Sequence, residues 1–380
     1  MGEKSSGTWG AGPRGGGGAG GRPRSLVMTV WTLATLLVLG SAGFGYLYWR
    51  LDGNLTGIDI DGALGRDRPD DVDNGSMDIL VLGSDSRAGK NRRYGDDQGT
   101  SRSDTAMVVH IHRGHRRASV VSIPRDTLVR RPDCTRRGGQ DGDVRASEAG
   151  KDGGEVPGER RAMFNSAYEV GGPACAVKTV ESMTGIRMDH YLEVDFSGFR
   201  DLVDELGGVE LTTTEPIHDR KSHLDLPPGR HTLDGEQALG LVRTRHGVGD
   251  GSDLGRIKLQ QAFIRALIDQ IKDIGLFSSP KKLYDVADAS TKALTTDSDL
   301  ASVDKLLDLA RGLRGIGSDD LHMVTLPVAY DPGDPNRVRP IEAKAAQVWR
   351  ALRADRPVPA SATRGSAADD TEADGVVREP

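Results

Sequence analysis

From Leu26 to Trp49 the chain carries no charged residue, while the residues on either side are mostly polar. At about 1.5 Å per residue this run reaches roughly 36 Å as a helix, enough for a hydrocarbon core of about 30 Å, so it predicts a membrane-spanning helix. Tyr46, Tyr48 and Trp49 suit an interfacial belt at its far end. Lys4, Arg14, Arg22 and Arg24 precede it, and Asp52, Asp59 and Asp61 follow. That asymmetry predicts a cytoplasmic N-terminus and an extracytoplasmic C-terminal domain. The alternative is a cleaved signal peptide. The run is longer than an h-region of about 7–15 residues, and no clear small-x-small cleavage site follows it.

Beyond the anchor, short apolar runs bounded by turn residues predict strands. They are DILVLG at 78–83, TAMVVHIH at 105–112 and ASVVSIP at 118–124, which together form an antiparallel meander. Helical periodicity follows at 162–170 and 173–184, then a strand HYLEVD (190–195), and a helix FSGFRDLVDEL stopped by Gly207 and Gly208. Asp234 is a predicted N-cap, Gly255 to about Ile274 is amphipathic, and helices at 300–313 and 341–353 flank a strand at 321–328. Residues 1–25, rich in Gly, Pro, Ser and Arg, predict a disordered tail; 50–76 read as a stalk, 135–161 as a mobile insertion, and 355–380 as a second disordered tail. Mixed strands and helices over 77–354 suggest one α/β or α+β domain.

Composition narrows the functional classes. With 50 basic and 56 acidic residues the formal charge is -6, so no global field attracts nucleic acid, and an anion site must be a local cluster. Cys134 and Cys175 are the only cysteines. Outside the cytoplasm an even count favours a disulfide. A zinc site is not expected, because the thiols are far apart and His110, His112 and His115 in HIHRGH lack a partner set. Alternation on a strand ending in a Gly turn explains those histidines more simply. No P-loop is present, and the glycine-rich GAGPRGGGGAGG lacks the preceding strand of a dinucleotide fold. No GxSxG points to an acyl-enzyme.

In a meander the end of the first strand, the start of the second and the end of the third share one rim. That rim collects Asp85, Arg87, Arg102, Asp104, Arg125 and Asp126, in the sequences GSDSR, RSDT and SIPRD. Two carboxylates among guanidiniums suit a divalent cation that shares phosphate oxygens with the protein. Taken singly each residue reads as a surface ion pair; three motifs on one rim set an anion or metal site beside that reading. A second group follows. Arg243 and Arg245 share a face only if the helix has given way to extended chain, and Arg256 and Gln260 lie four apart on the next helix. Guanidiniums grip phosphate oxygens bidentately.

DILVLGSDSR, RSDTAMVV, VVSIPRDTLV, FNSAYEVGGPACAVKTVESMTGIRMDHYLEVDFSGF, LVDELGGVEL, LDGEQALGLVRTRH and DLGRIKLQQ occur in one order and spacing. In these motifs the chain resembles the LytR-CpsA-Psr family over about residues 76–270. The resemblance implies an α/β/α sandwich-like extracytoplasmic domain with a central mixed sheet, a hydrophobic pocket for a polyprenyl chain, and magnesium-assisted (or manganese-assisted) phosphoryl transfer. It assigns Asp85 and Asp104 to the metal, and Arg102, Arg125, Arg243, Arg245 and Arg256 to pyrophosphate, with Gln260 assisting. Arg87 is carried as a further contact. Asp126 orients Arg125 or caps the local turn. Two departures stand out: Leu259 replaces a residue that is often basic in the family, and GVGDGS widens the gap between Arg245 and Asp253.

The activity so implied moves a glycopolymer phosphate from a polyprenyl-pyrophosphate carrier to a peptidoglycan hydroxyl at the cell membrane. Two alternatives stay open: a pyrophosphatase using the same site with water, and a non-catalytic receptor for a polyprenyl lipid or wall polymer. Retention of both carboxylates disfavours the receptor, since lipid binding alone needs no metal pair.

Overall fold

The computed structural model describes residues 24–84, 103–136, 154–245, 248, 251–274, 279–369 and 375–378; the side chains of 24–34, Asp104 and several other positions lie outside that description. The chain divides into two units, residues 1–49 and 50–380. Helix α1 (Arg24–Asp52) supplies the described part of the first. Among the described residues no helix is long and apolar enough to cross a membrane, and within the span read from Leu26 to Trp49 the side chains of 26–34 and a few later positions lie outside that description.

The second unit opens with β1 (Thr56–Ile58), α2 (Ile60–Leu64), β2 (Met77–Ser84), β3 (Ser103–Ile111) and β4 (Ala118–Ser122). Next come β5 (Leu128–Arg131), β6 (Cys134–Thr135), β7 (Glu155–Val156), β8 (Glu159–Met163), α3 (Phe164–Thr184), β9 (His190–Asp195), α4 (Phe196–Leu206) and β10 (Val209–Thr213). A run of short strands follows, β11 (Ile217–Asp219), β12 (Leu224–Leu226) and β13 (Gly229–Leu233), and then α5 (Gly235–Arg243), α6 (Asp253–Asp273), α7 (Pro280–Ala293) and β14 (Leu294–Asp297). The chain closes with α8 (Val303–Leu313), β15 (Leu321–Thr325), β16 (Val328–Asp331), β17 (Asp334–Pro340), α9 (Glu342–Arg353), α10 (Ala360–Thr363) and β18 (Val377–Arg378).

The central sheet is mixed, in the order β1-β14-β9-β2-β3-β4-β15, and β2, β3 and β4 form the expected antiparallel meander. Its register sorts the side chains onto two faces. Leu80, Val108 and Val121 stand opposite one another and pack with Phe164, Val177 and Val180 of α3 and with Val348, Trp349 and Leu352 of α9. One residue over, Val109 and Val120 share a row with Met323 and meet Ile264 of α6. On the same side Ile79 and Ile111 pack with Leu309 and Leu313 of α8. Continuous apolar strands are therefore covered on both faces, which is the α/β/α arrangement. A second core lies between α4, α5, α6 and the small sheet β13-β10-β18, and Leu259 is buried in it. Leu259, noted in the sequence as a departure from the family pattern, is a packing position.

Local signals act as the chain pattern indicates. Asp195 and Asp234 cap α4 and α5 through Gly198 N and Gln237 N, and Gly207 ends α4 in the left-handed region. The break read between 170 and 173 is a kink in α3 at Gly171 and Gly172. It lies against the Cys134–Cys175 disulfide, whose Cα atoms are 5.6 Å apart. A Cβ on Gly171 would come within 2.6 Å of Cys175 Cβ, so the close approach requires glycine.

Three segments differ from their sequence reading. The stretch 50–76 is built into the domain: β1 pairs with β14, Ile60 joins the main core, and the buried guanidinium of Arg68 bonds Glu181 and Met188 O. Within 135–161, residues 154–161 carry β7 and the start of β8, and 137–153 lie outside the described residues. Most of the stretch read as the second tail is packed as well. Val358, Ala362 and Ala368 enter the main core, Val376 and Val377 the second, and β18 pairs with β10. A few small apolar side chains suffice where they complete cores built by distant elements. Average composition conceals that.

Candidate active site

The rim read from sequence forms where β2 and β4 end and β3 begins. β2 pairs with β3 through Gly83–Thr105 and Ser84–Ser103, and the register shift between them falls at Asp104. A bulge of this kind re-aims a strand end and is common beside active sites. Asp85, Arg87 and Arg102 lie outside the described residues, as does the side chain of Asp104. Pairing of Ser84 with Ser103 nonetheless brings the chain to the rim one residue before Asp85 and one before Asp104.

After β4 the chain continues through Ile123 and Pro124 to Arg125 and Asp126, where it meets the start of α6. Arg125 donates its backbone N–H to Asp253 Oδ2 at 3.0 Å, and its Nε lies 3.8 Å from Oδ1. Arg245 Nη2 donates to Asp253 Oδ1 at 3.0 Å, and Arg256 pairs with the same oxygen one turn along the helix. Asp253 is thus the hub of three arginines from three segments. Its carboxylate is buried in the first turn of α6, where the helix dipole also favours a negative charge. Asp126 sits beside this hub, 3.8 Å from Arg125 Nε, 3.5 Å from Arg245 Nη2 and 3.6 Å from Arg337 Nη1.

The extended conformation predicted after Arg243 is present. α5 ends there and Thr244 has φ -61° and ψ 131°, which carries Arg245 toward Asp253. Arg245 N donates to Asp219 Oδ2 at 3.0 Å, pinning the turn. Arg243 lies with its guanidinium carbon 5.1 Å from the Phe196 ring centroid, a cation–π contact at the start of α4. Gln260 directs its amide nitrogen to Thr105 Oγ1 at 2.8 Å and Val242 O at 2.9 Å. It ties the start of β3 to α5 and α6.

Arg125, Asp126, Arg245 and Arg256 are therefore brought together, and Gln260 follows Arg256 by one turn on α6. Asp253 and Arg337 were not read as site residues. Asp253 was legible as an acidic first-turn residue four before the helix's Ile257, whereas nothing local marks Arg337, which arrives from β17. Beside Arg337 a cleft of about 440 Å³ opens between the β5–β8 and β16–β17 strand pairs, lined by Leu128, Arg161, Met163, Ser166 and Asp331 among others.

The rim also carries donors of the kind a hard cation takes. Among the described residues Ser84 Oγ is buried without a hydrogen-bond partner, immediately before Asp85. Hydroxyl and carboxylate oxygens match magnesium or manganese, and the flanking guanidiniums match phosphate.

Comparison with known proteins gives this geometry its family. The chain is 31% identical over 323 residues to the cell wall biosynthesis protein LcpA of Corynebacterium glutamicum, covering 80% of this chain and 60% of LcpA. It is 31% identical over 252 residues to the polyisoprenyl-teichoic acid--peptidoglycan teichoic acid transferase TagT of Bacillus subtilis, covering 65% and 67%. The structure of TagT bound to LI-WTA superimposes with a TM-score of 0.54 at 25% identity, covering 78% of this chain and 98% of that one. The chain spans about 60% of the length of LcpA, the first of these relatives. The LytR_cpsA_psr family model matches residues 47–354, most of the chain, and the chain belongs to that family.

Proposed function

We propose that this protein is a membrane-anchored phosphotransferase that moves a glycopolymer phosphate from a polyprenyl-pyrophosphate carrier to a hydroxyl of peptidoglycan, forming a phosphodiester. The observation that carries the reading is the convergence of Arg125, Arg245 and Arg256 on Asp253, beside Asp126, at the rim where β4 ends. The name of TagT, a teichoic acid transferase acting on peptidoglycan, supports the substrate class.

In this reading the acceptor oxygen attacks the phosphorus nearest the glycopolymer. The bond from that phosphorus to the bridging oxygen breaks, and polyprenyl phosphate leaves with that oxygen. Arg125 and Arg245, both partly open to solvent, bind the phosphate oxygens and stabilise charge on the leaving group. Arg256, deeply buried, holds Asp253, and Asp253 in turn holds the guanidinium of Arg245. Asp126 is the more open carboxylate of the cluster and takes the proton of the acceptor hydroxyl. Asp85 and Asp104 would hold magnesium, which polarises a phosphoryl oxygen when bound. The polar cleft beside Arg337 suits a hydroxyl-rich acceptor. Residues 26–49 keep this site beside a donor that cannot leave the bilayer.

The test is release of polyprenyl monophosphate from a lipid-linked glycan pyrophosphate by the full-length chain in detergent. Release should require added peptidoglycan fragments and fall at least about 100-fold in Arg245→Ala. Release at the same rate without fragments would sink the transferase reading.

A further inference from the structure

At the opposite end of β3, HIHRGH does acquire a partner. His110 lies near the end of β3 and His112 one residue beyond it, two apart in the chain. Asp355, just after α9, reaches both: its Oδ1 lies 3.3 Å from His110 Nε2 and 2.8 Å from His112 Nδ1. The three ligand atoms lie within 4.8 Å of one another. Asp355 adopts φ 50°, the left-handed region that is uncommon for a residue other than glycine.

The remote ring nitrogens are oriented too. His110 Nδ1 lies 2.8 Å from Asp78 Oδ1, and His112 Nε2 lies 2.9 Å from Ser119 Oγ. A carboxylate only accepts, so Asp78 requires a proton on His110 Nδ1. In the neutral ring Nε2 then presents its lone pair to Asp355 Oδ1, an acceptor facing an acceptor. A proton held between the two groups, on the imidazole or on the carboxyl, or a cation between them relieves that contact. Carboxylate–histidine–metal relays show this same outer partner on the ring nitrogen that does not ligate.

We propose that His110, His112 and Asp355 form a zinc(II) site that clasps the segment after α9 to the end of β3. Two imidazole nitrogens and one carboxylate oxygen are a donor set suited to zinc, with a fourth position left for water. Bonds of about 2.0–2.1 Å at tetrahedral angles place ligand atoms roughly 3.4 Å apart, so the contact of Asp355 Oδ1 with His110 at 3.3 Å already fits and that with His112 at 2.8 Å would open on binding. The site is six residues along β3 from Asp104, on the order of 20 Å away, and does not depend on the proposed transfer activity.

The experiment uses the untagged full-length chain in detergent, dialysed with zinc and then against zinc-free buffer. One equivalent of zinc should remain in the wild type and less than about a tenth in His112→Gln and Asp355→Asn. Asp78→Asn, which touches only the outer nitrogen, should weaken binding by about 10–100-fold. A measurement independent of the variants is the visible spectrum of the cobalt(II)-loaded wild type, which should be that of a four-coordinate ion with imidazole ligands. Wild-type chain that retains no zinc, zinc retained equally by all variants, or an octahedral cobalt spectrum each overturns the proposal; the cluster is then a proton-bridged clasp only.

Discussion

Arg245 and Asp253 are joined at 3.0 Å across the segment GVGDGS, which separates them in the chain. The ion pair fixes the two ends of that segment to each other. Asp253 also holds Arg125 and Arg256, so one carboxylate sets the geometry of three guanidiniums.

Removing that carboxylate has two consequences. Asp253→Ala removes the carboxylate that pairs with Arg256, which is 3% exposed, and losing a hydrogen-bonded charge of this kind should cost at least about 1.5 kcal/mol. Transfer should also fall by at least about 100-fold, since Arg245 loses its anchor. Denaturant unfolding and initial rates, measured on the same preparation, report the two effects separately.

Arg125 and Arg245 behave differently from Arg256. Their side chains are 20% and 28% exposed, so replacement by Ala should change stability by no more than about 1 kcal/mol while transfer falls about 100-fold. Arg256→Ala should lower both. Equal losses of stability in all three variants would mean that the cluster is structural.

The disulfide closes a separation of 41 residues, which loop-entropy arithmetic values at about 4 kcal/mol. The double variant Cys134→Ser with Cys175→Ser should lower the melting temperature by several degrees at unchanged pH. Thiol counting on the denatured, unreduced wild type should find none free.

The clasp at the end of β3 makes stability pH-dependent when chelator removes metal. Burial pulls His110 down, but its contacts with Asp78 and then Asp355 outweigh that and raise it above the usual imidazole value. Burial pushes Asp355 up, but hydrogen bonds from His112, His110 and Arg113 N bring it below the usual carboxylate value. The His110 contribution is complete below the unfolded imidazole value of about 6.5 and is lost as pH rises through the raised folded value. The Asp355 contribution is complete above about 3.9 and is lost as pH falls through the lowered folded value. Between them lies the most stable window. Asp78 on β2, His112 just past β3, and His322 on β15, itself lowered by burial, Arg265 and His112, face the same cluster. Asp355→Asn should lower the unfolding free energy in that window and flatten both limbs of the profile.

What could be read from sequence followed from local pattern. Leu80 and Leu82 lie in an apolar run stopped by Gly83, and Asp234 with Gln237 forms a capping box, so β2 and α5 were legible. β14 was not: LTTD carries little apolar signal, and it joins the sheet by pairing Thr295 with Glu193 and with Thr56, residues far away in the chain. The same holds for the site. Arg125 and Arg245 announced themselves through motifs, whereas Asp253 gained its role only when α6 was set against the end of β4. Asp355 was hidden within a polar segment because its partners lie some 240 residues earlier.

The most direct test of the transfer is the identity of what the polyprenyl phosphate leaves behind. Full-length chain is incubated with a lipid-linked glycan pyrophosphate and peptidoglycan fragments, and every product is weighed by mass spectrometry. The account predicts one glycan–phosphate–fragment conjugate for each polyprenyl monophosphate released, with both absent in Arg245→Ala. Free glycan phosphate without conjugate would contradict it in favour of hydrolysis, and intact donor bound to the protein would contradict it in favour of a receptor.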